Sequence, residues 1–231
     1  MQKIFDCSVD TDLLTGMRLA KVALGRTELV VLPTDTVYGI AANAFSPEAV
    51  QALLDAKGRG RQSPPPVLVT GLSQARALIE SLPEAAVSLA ETFWPGALTM
   101  IFKAQPSLDW DLGETRGTVA IRVPDHKITL ALIEETGPLA VSSANLTGQP
   151  AATTCQQAFD YLQDSVAVYL DAGNSPKGEA STILDMTDLV DSYDAAGNHS
   201  VSGKVKVIRS GALSEANIRS VIGDLLESPV S

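Results

Sequence analysis

Cysteine, histidine and aromatic side chains are scarce in this chain, and its excess charge is negative. Cys7 and Cys155 are the only two cysteines in 231 residues. Two thiols so far apart make no disulfide framework and have no metal-ligand spacing, so they read as reduced thiols of a cytosolic protein. With only His126 and His199 beside them, a histidine-rich metal centre is not expected either. Lys and Arg number 17 against 27 Asp and Glu, a formal net charge of −10. Such a chain does not coat nucleic acid by bulk electrostatics, although a local basic pocket is compatible with it. No apolar run reaches the roughly 18 residues of a membrane span and no signal peptide opens the sequence, so the expected location is the cytoplasm, away from membranes. The common nucleotide signatures are absent: there is no G-x-x-x-x-G-K-[ST] loop, and no G-x-G-x-x-G opens a helix. A phosphate site here has to rest largely on side-chain cations and hydroxyls.

What is present is ordinary for a globular protein: 45% hydrophobic and 19% charged residues, enough to bury a real core. Leu13, Met17, Ala20 and Leu24 recur at helical spacing over residues 10–25. Ser46-Pro47-Glu48 reads as a capped helix start, running to about Lys57. Further helices are expected near 73–81, 84–93, 126–136, 154–163 and 214–226. Short apolar strands are expected near 29–32, 67–69, 98–102, 118–123, 139–141, 166–170, 181–185 and 204–208. The acidic, turn-rich segment 187–203 reads as a mobile loop. Strands alternate with helices, which predicts an α/β protein with a twisted, mixed sheet and flanking helices. No repeat or linker divides the chain, so residues 1–231 are expected to form one domain, with a short C-terminal helical tail from about 212.

Polar clusters at strand ends carry the chemistry. Thr34-Asp35-Thr36-Val37-Tyr38-Gly39 follows the run Val30–Leu32, and one helix later comes Lys57-Gly58-Arg59-Gly60-Arg61. A single helix and its turns can bridge Thr36 to Lys57, and hydroxyls beside clustered cations suit a triphosphate or another anion. The plain readings are a helix-capping turn and a solvated basic helix end. Ser142-Ser143-Ala144-Asn145 ends a strand, where open α/β sheets bind ligands; a plain loop is the alternative. A serine-hydrolase triad is not expected, because no G-x-S-x-G surrounds these serines. Arg122 interrupts the apolar strand Val119–Val123, and a buried arginine needs an anion, either a ligand or a structural partner. Arg209, just before Ser210-Gly211, poses the same question.

Taken in order, Leu32–Gly39, Lys57-Gly58-Arg59, Trp94–Thr99, Ala120–Pro124, Ser142–Gly148, Ser181–Asp185 and Ile208–Gly211 resemble the YrdC/TsaC family of L-threonylcarbamoyladenylate synthases. The resemblance covers roughly residues 10 to 215. It implies a YrdC-like open sheet with a large concave cleft. It also implies formation of threonylcarbamoyl-AMP and pyrophosphate from L-threonine, bicarbonate and ATP, with Mg²⁺ accompanying the nucleotide. The product would feed threonylcarbamoyladenosine synthesis on tRNA through a separate transferase complex, so this chain need bind tRNA weakly or not at all. Carried over by position, Lys57 and Arg59 would be catalytic and contact the ATP phosphates. Thr36, Arg122, Ser143 and Ser181 would hold L-threonine, Arg122 by its carboxylate. Ser63, Thr118, Asn145, Thr153 and Arg209 would face ATP. The family's Asn-Pro-Leu, followed by a histidine, is here Ser63-Pro64-Pro65-Pro66-Val67-Leu68, with Ser63 in the asparagine's place, no histidine, and Arg61 as an extra cation for the phosphates. The chain also lacks the long second domain of some relatives. The rival expectation is a non-catalytic YrdC-like module that binds RNA or nucleotide.

Overall fold

The computed structural model describes residues 3–194 and 196–227. Its strands and helices are β1 (Ile4–Asp6), α1 (Asp10–Leu24), β2 (Val30–Leu32), β3 (Gly39–Asn43), α2 (Pro47–Lys57), β4 (Val67–Leu68), α3 (Leu72–Leu78), α4 (Glu84–Phe93), β5 (Leu98–Lys103), β6 (Thr118–Arg122), α5 (Lys127–Thr136), β7 (Leu139–Ser143), α6 (Cys155–Leu162), β8 (Val168–Asp171), β9 (Thr182–Asp185), β10 (Val190–Tyr193), β11 (His199–Ser202), β12 (Lys206–Arg209) and α7 (Glu215–Ile222). Ten strands form one sheet in the order β1-β8-β2-β3-β7-β4-β6-β5-β9-β12. β1 and β2 run parallel to β8, β4 to β6, and β5 to β9; the other neighbours are antiparallel. The sheet is therefore mixed, as expected.

The period-2 alternation of each strand sorts side chains between two layers. On β2, Val30 and Leu32 pack with α1 and α5, in a core that holds Ala20, Leu24, Leu132 and Ile133. Val31 points the other way, to Leu53 and Leu54 of α2 and Ala158 of α6. Both faces being covered, β2 reads as a continuous apolar run. Toward the other edge, Met100, Phe102 and Ile121 pack with Leu78, Leu89 and Ile218 from α3, α4 and α7.

Helix α2 positions the site, and its ends follow from local chemistry. Ser46 Oγ accepts a hydrogen bond from Ala49 N at 3.2 Å, and Pro47 occupies the first turn, where no N–H is needed. Gly58 ends the helix in the left-handed region (φ 59°), a conformation that other residues adopt at a cost. That turn sends Arg59 back toward the sheet. Gly39 answers a different need: a Cβ there would lie 2.6 Å from Val141 Cγ1, so only glycine lets β3 and β7 pair this closely.

Four expectations change. Residues 39–43 form a central strand, β3, although Gly39-Ile40-Ala41-Ala42-Asn43 is poor in β-branched side chains; pairing along both edges overrides propensity. The three residues of β1 are too few to show a pattern. The segment 187–203 contains the hairpin β10–β11, which docks on α4 when the Asp191 carboxylate accepts the Glu84 N–H at 2.8 Å. No helix follows Thr34–Val37, which links the antiparallel strands β2 and β3, so the capping reading of that turn falls.

Candidate active site

A cavity of about 320 Å³ opens between the β2–β3 turn and strands β5, β6, β7, β9 and β12. Its walls include Thr36, Arg59, Thr118, Arg122, Ser143, Ser181 and Arg209, seven of the residues singled out in the sequence. The lining contains three guanidiniums and no carboxylate. In a chain of net charge −10, such a local concentration of positive charge favours an anionic ligand.

Each guanidinium is held by the protein. Arg122 is 7% exposed; its Nε donates to Gly96 O at 2.9 Å, its Nη1 to Thr36 Oγ1 at 2.9 Å, and its Nη2 to Asp35 Oδ1. Burial lowers its pKa first, the Asp35 carboxylate raises it, and the charge of Arg209 lowers it again. Both alternatives left open for Arg122 thus meet: it has a structural anion and it faces the cavity. Arg59 reaches back from the Gly58 turn and donates to Ser142 Oγ at 2.9 Å; burial and then the charge of Arg209 lower its pKa. Arg209 donates twice to Ser181 O, at 3.1 and 2.7 Å, and once to Ser181 Oγ at 3.2 Å. The pairing of β12 with β9 slips between Val207 and Arg209, and that irregularity turns two consecutive residues, Ile208 and Arg209, onto the cavity.

The hydroxyls form relays behind these cations. Thr36 Oγ1 lies 3.0 Å from Thr34 Oγ1, which donates to Val37 O at 2.6 Å. Ser181 Oγ lies 2.8 Å from Thr99 Oγ1 on β5. Thr118 Oγ1 donates to Thr115 O at 2.8 Å. Thr34, Thr99, Thr115 and Ser142 also line the cavity. Sequence reasoning assigned no role to Thr99 or Thr115. Thr99 stood inside a quoted block, but its signal appears only when β5 pairs with β9.

Five of the residues assigned to substrates lie outside the cavity lining. Lys57 is buried, and its Nζ donates to Ser143 O, to Asn145 O at 2.6 Å and to Asn145 Oδ1 at 3.3 Å. All three ammonium protons have protein acceptors, and these bonds tie the end of α2 to the turn after β7. Burial, and then the charge of Arg59, push its pKa down to about 8. Asn145 completes the turn by donating from Nδ2 to Leu146 O at 2.9 Å and to Gln149 O at 2.7 Å. Thr153 lies in a neighbouring cavity that shares Val37, Ala151 and Ala180 with the first; its hydroxyl donates to Gln157 Oε1 at 3.1 Å. Ser63 precedes Pro64, Pro65 and Pro66, which do line the main cavity, and its N–H donates to Gly60 O at 3.2 Å. Arg61, the extra cation, turns away to a bidentate pair with Asp111 at 2.7 and 2.8 Å. Tyr38 is core, its hydroxyl donating to Gly173 O at 2.6 Å.

Burial raises the pKa of Cys7 to about 11 and of Cys155 to about 12, so neither supplies a thiolate near neutrality. No group of three or more His, Cys, Asp or Glu side chains able to hold a metal occurs among the described residues.

Fold and cavity together define a class: a mixed-sheet α/β protein with a cationic, hydroxyl-lined cavity where the edges of several strands meet. The family model described as "Telomere recombination", for Sua5, YciO and YrdC, matches residues 22–193. The chain belongs to the Sua5/YciO/YrdC family. It is 44% identical over 223 residues to a Mycobacterium leprae protein that carries the provisional name threonylcarbamoyl-AMP synthase, covering 96% of this chain and 95% of that one. It is 36% identical over 208 residues to the threonylcarbamoyl-AMP synthase of Bacillus subtilis, covering 89% of this chain and 56% of that one. Among solved structures, Pyrococcus abyssi Sua5 complexed with L-threonine superposes with a TM-score of 0.84 at 30% identity, over 98% of this chain and 62% of that one. Escherichia coli YciO, at 20% identity and a TM-score of 0.76 over 94% of this chain and 100% of that one, shares the fold.

Proposed function

We propose that this protein is a threonylcarbamoyl-AMP synthase, which joins L-threonine, bicarbonate and ATP into threonylcarbamoyl-AMP and releases pyrophosphate. The observation that carries the reading is the cavity lined by Arg59, Arg122 and Arg209 without a carboxylate, in a chain that aligns nearly end to end with a relative bearing that name.

The amine of threonine adds to the carbon of bicarbonate and water leaves, giving a carbamate. A carbamate oxygen attacks the α-phosphorus of ATP; the bond from that phosphorus to the bridging oxygen breaks and pyrophosphate departs. Such a reaction needs positioning and charge neutralisation more than covalent help. Arg122, fixed by Gly96, Thr36 and Asp35, is suited to the threonine carboxylate, with Thr36, Ser143 and Ser181 beside it. Arg59 and Arg209 are suited to the phosphates, with Thr118 on the nucleotide side. Their charge would offset what builds up on the α-phosphoryl oxygens and on the leaving pyrophosphate. Lys57 and Asn145 serve by holding the Ser143 turn in place. Mg²⁺ is proposed to arrive with the nucleotide, since the described residues offer it no cage of their own. The product would pass to a transferase complex that modifies tRNA.

Pyrophosphate release from ATP and bicarbonate, with and without L-threonine, tests the reading. Threonine-dependent release is expected. A sample that binds ATP but releases no pyrophosphate would favour the nucleotide-binding module.

A further inference from the structure

Arg122 carries a difficulty as a carboxylate receptor. Its guanidinium is already paired with the buried carboxylate of Asp35. A neutral pair attracts a second carboxylate weakly, because the repulsion of Asp35 offsets much of the attraction of Arg122. Arg59 and Arg209 share the cavity but are assigned to the phosphates, so at the carboxylate end added positive charge has to come from the surroundings of the Arg122–Asp35 pair.

Asp35 reaches further than Arg122. Its Oδ1 also accepts the Asp125 N–H at 3.0 Å, while its Oδ2 is buried with no hydrogen-bond partner. The ammonium of Lys177 stands 3.6 Å from that oxygen, with 44% of its side chain exposed. Lys177 lies between β8 and β9, in the segment that ends at Ala180 and Ser181 on the cavity wall. The other titratable group coupled to Asp35 is His126, whose pKa burial lowers from 6.5, against the opposing pull of Asp35 and Asp125. Burial thus works against a charge on His126. Asp125 beside it is acidic and cannot compensate either.

We propose that Lys177 is a positioning residue for the threonine subsite, restoring through Asp35 the positive charge that Arg122 needs to hold a carboxylate. Counted by themselves, the directly contacting groups Arg122, Asp35 and Lys177 carry one net positive charge, which the substrate carboxylate would offset. Lys177 also tethers its segment midway between the Gly173 contact with Tyr38 and the Ser181 contact with Arg209. The inference rests on Arg122 as the partner of the threonine carboxylate.

The test is the kinetics of pyrophosphate release by Lys177→Met, Lys177→Arg, Asp35→Asn and the Asp35→Asn/Lys177→Met double variant. Lys177→Met is expected to raise the KM for threonine about two- to fivefold, the range a half-exposed ion pair supplies. The KM for ATP should stay within about 1.5-fold, and Lys177→Arg should restore the threonine KM. In the Asp35→Asn background the methionine change should have no further effect, because Lys177 acts through that carboxylate. An unchanged threonine KM in Lys177→Met, an equal rise for ATP, or a full effect that persists without Asp35 would each overturn the proposal. Should Asp35→Asn fail to fold, the Lys177→Met and Lys177→Arg pair decides alone. A wild-type protein without threonine-dependent release would instead sink the synthase reading itself.

Discussion

Replacing Lys57 with methionine separates a strut from a phosphate ligand. Methionine keeps the length and packing of the stem and removes the ammonium. Ser143 O, Asn145 O and Asn145 Oδ1 then lose their charged donor. Ser143 O retains the Asn145 N–H at 2.9 Å, so the main deficit falls on Asn145. Hydrogen bonds from a charged group contribute about 1.5–3 kcal/mol each. Removing a buried ammonium recovers part of its desolvation penalty and ends its repulsion with Arg59. The net loss should be about 1–3 kcal/mol, which for a chain of this size lowers Tm by about 2–12 °C. The turn that presents Ser143 would loosen, and kcat/KM should fall at least about tenfold. Differential scanning calorimetry and pyrophosphate release measure the two effects. A pure phosphate ligand predicts the opposite pattern: lost turnover with an unchanged or raised Tm, because an unbalanced buried charge has been removed. That result would refute the strut. pH adds a second check. Lys57 sits at about 8 in the folded protein and near 10.5 when exposed. Between those values the unfolded chain binds the extra proton, so this group makes stability rise with pH across that window. The rise should vanish in the methionine variant.

Other substitutions follow from the same geometry. Arg59→Ala removes a cavity cation that makes one hydrogen bond, to Ser142 Oγ; turnover should fall at least about a hundredfold while Tm moves by no more than about 3 °C. Arg61→Gln breaks an exposed pair with Asp111 outside the cavity, so the KM for ATP should remain within about twofold in steady-state assays. Gly39→Ala forces a Cβ to within 2.6 Å of Val141 Cγ1 and should cost about 1–3 kcal/mol by denaturant unfolding.

Most of the fold was legible because its elements carry strong local signals. Ser46-Pro47 and Gly58 bracket α2 as their chemistry dictates, and the apolar runs at 30–32, 98–103 and 118–122 are strands. What could not be read locally depends on pairing. β3 is built from small residues and exists because β2 and β7 flank it. The hairpin in 187–203 hides among acidic turn residues, of which Asp194 caps its own turn by accepting from Ala196 N and Asn198 N. The site divides in the same way. Residue types and order brought Thr36, Arg59, Arg122, Ser181 and Arg209 to attention, and the sheet gathers them around one cavity. Whether a cation faces a ligand or a carbonyl oxygen is decided by tertiary geometry. Lys57 and Arg59 are two residues apart, yet the left-handed turn at Gly58 leaves one buried among oxygens and sends the other to the cavity. Arg61, two residues further, goes to Asp111, a partner fifty positions away that no local pattern reveals.

The most direct measurement is mass spectrometry of the nucleotide products formed by the purified protein from ATP, L-threonine and isotopically labelled bicarbonate. The account predicts threonylcarbamoyl-AMP that carries the bicarbonate carbon, formed only when threonine is present and in equal amount to pyrophosphate. Pyrophosphate with AMP alone, or no product from protein that binds both substrates, would contradict it.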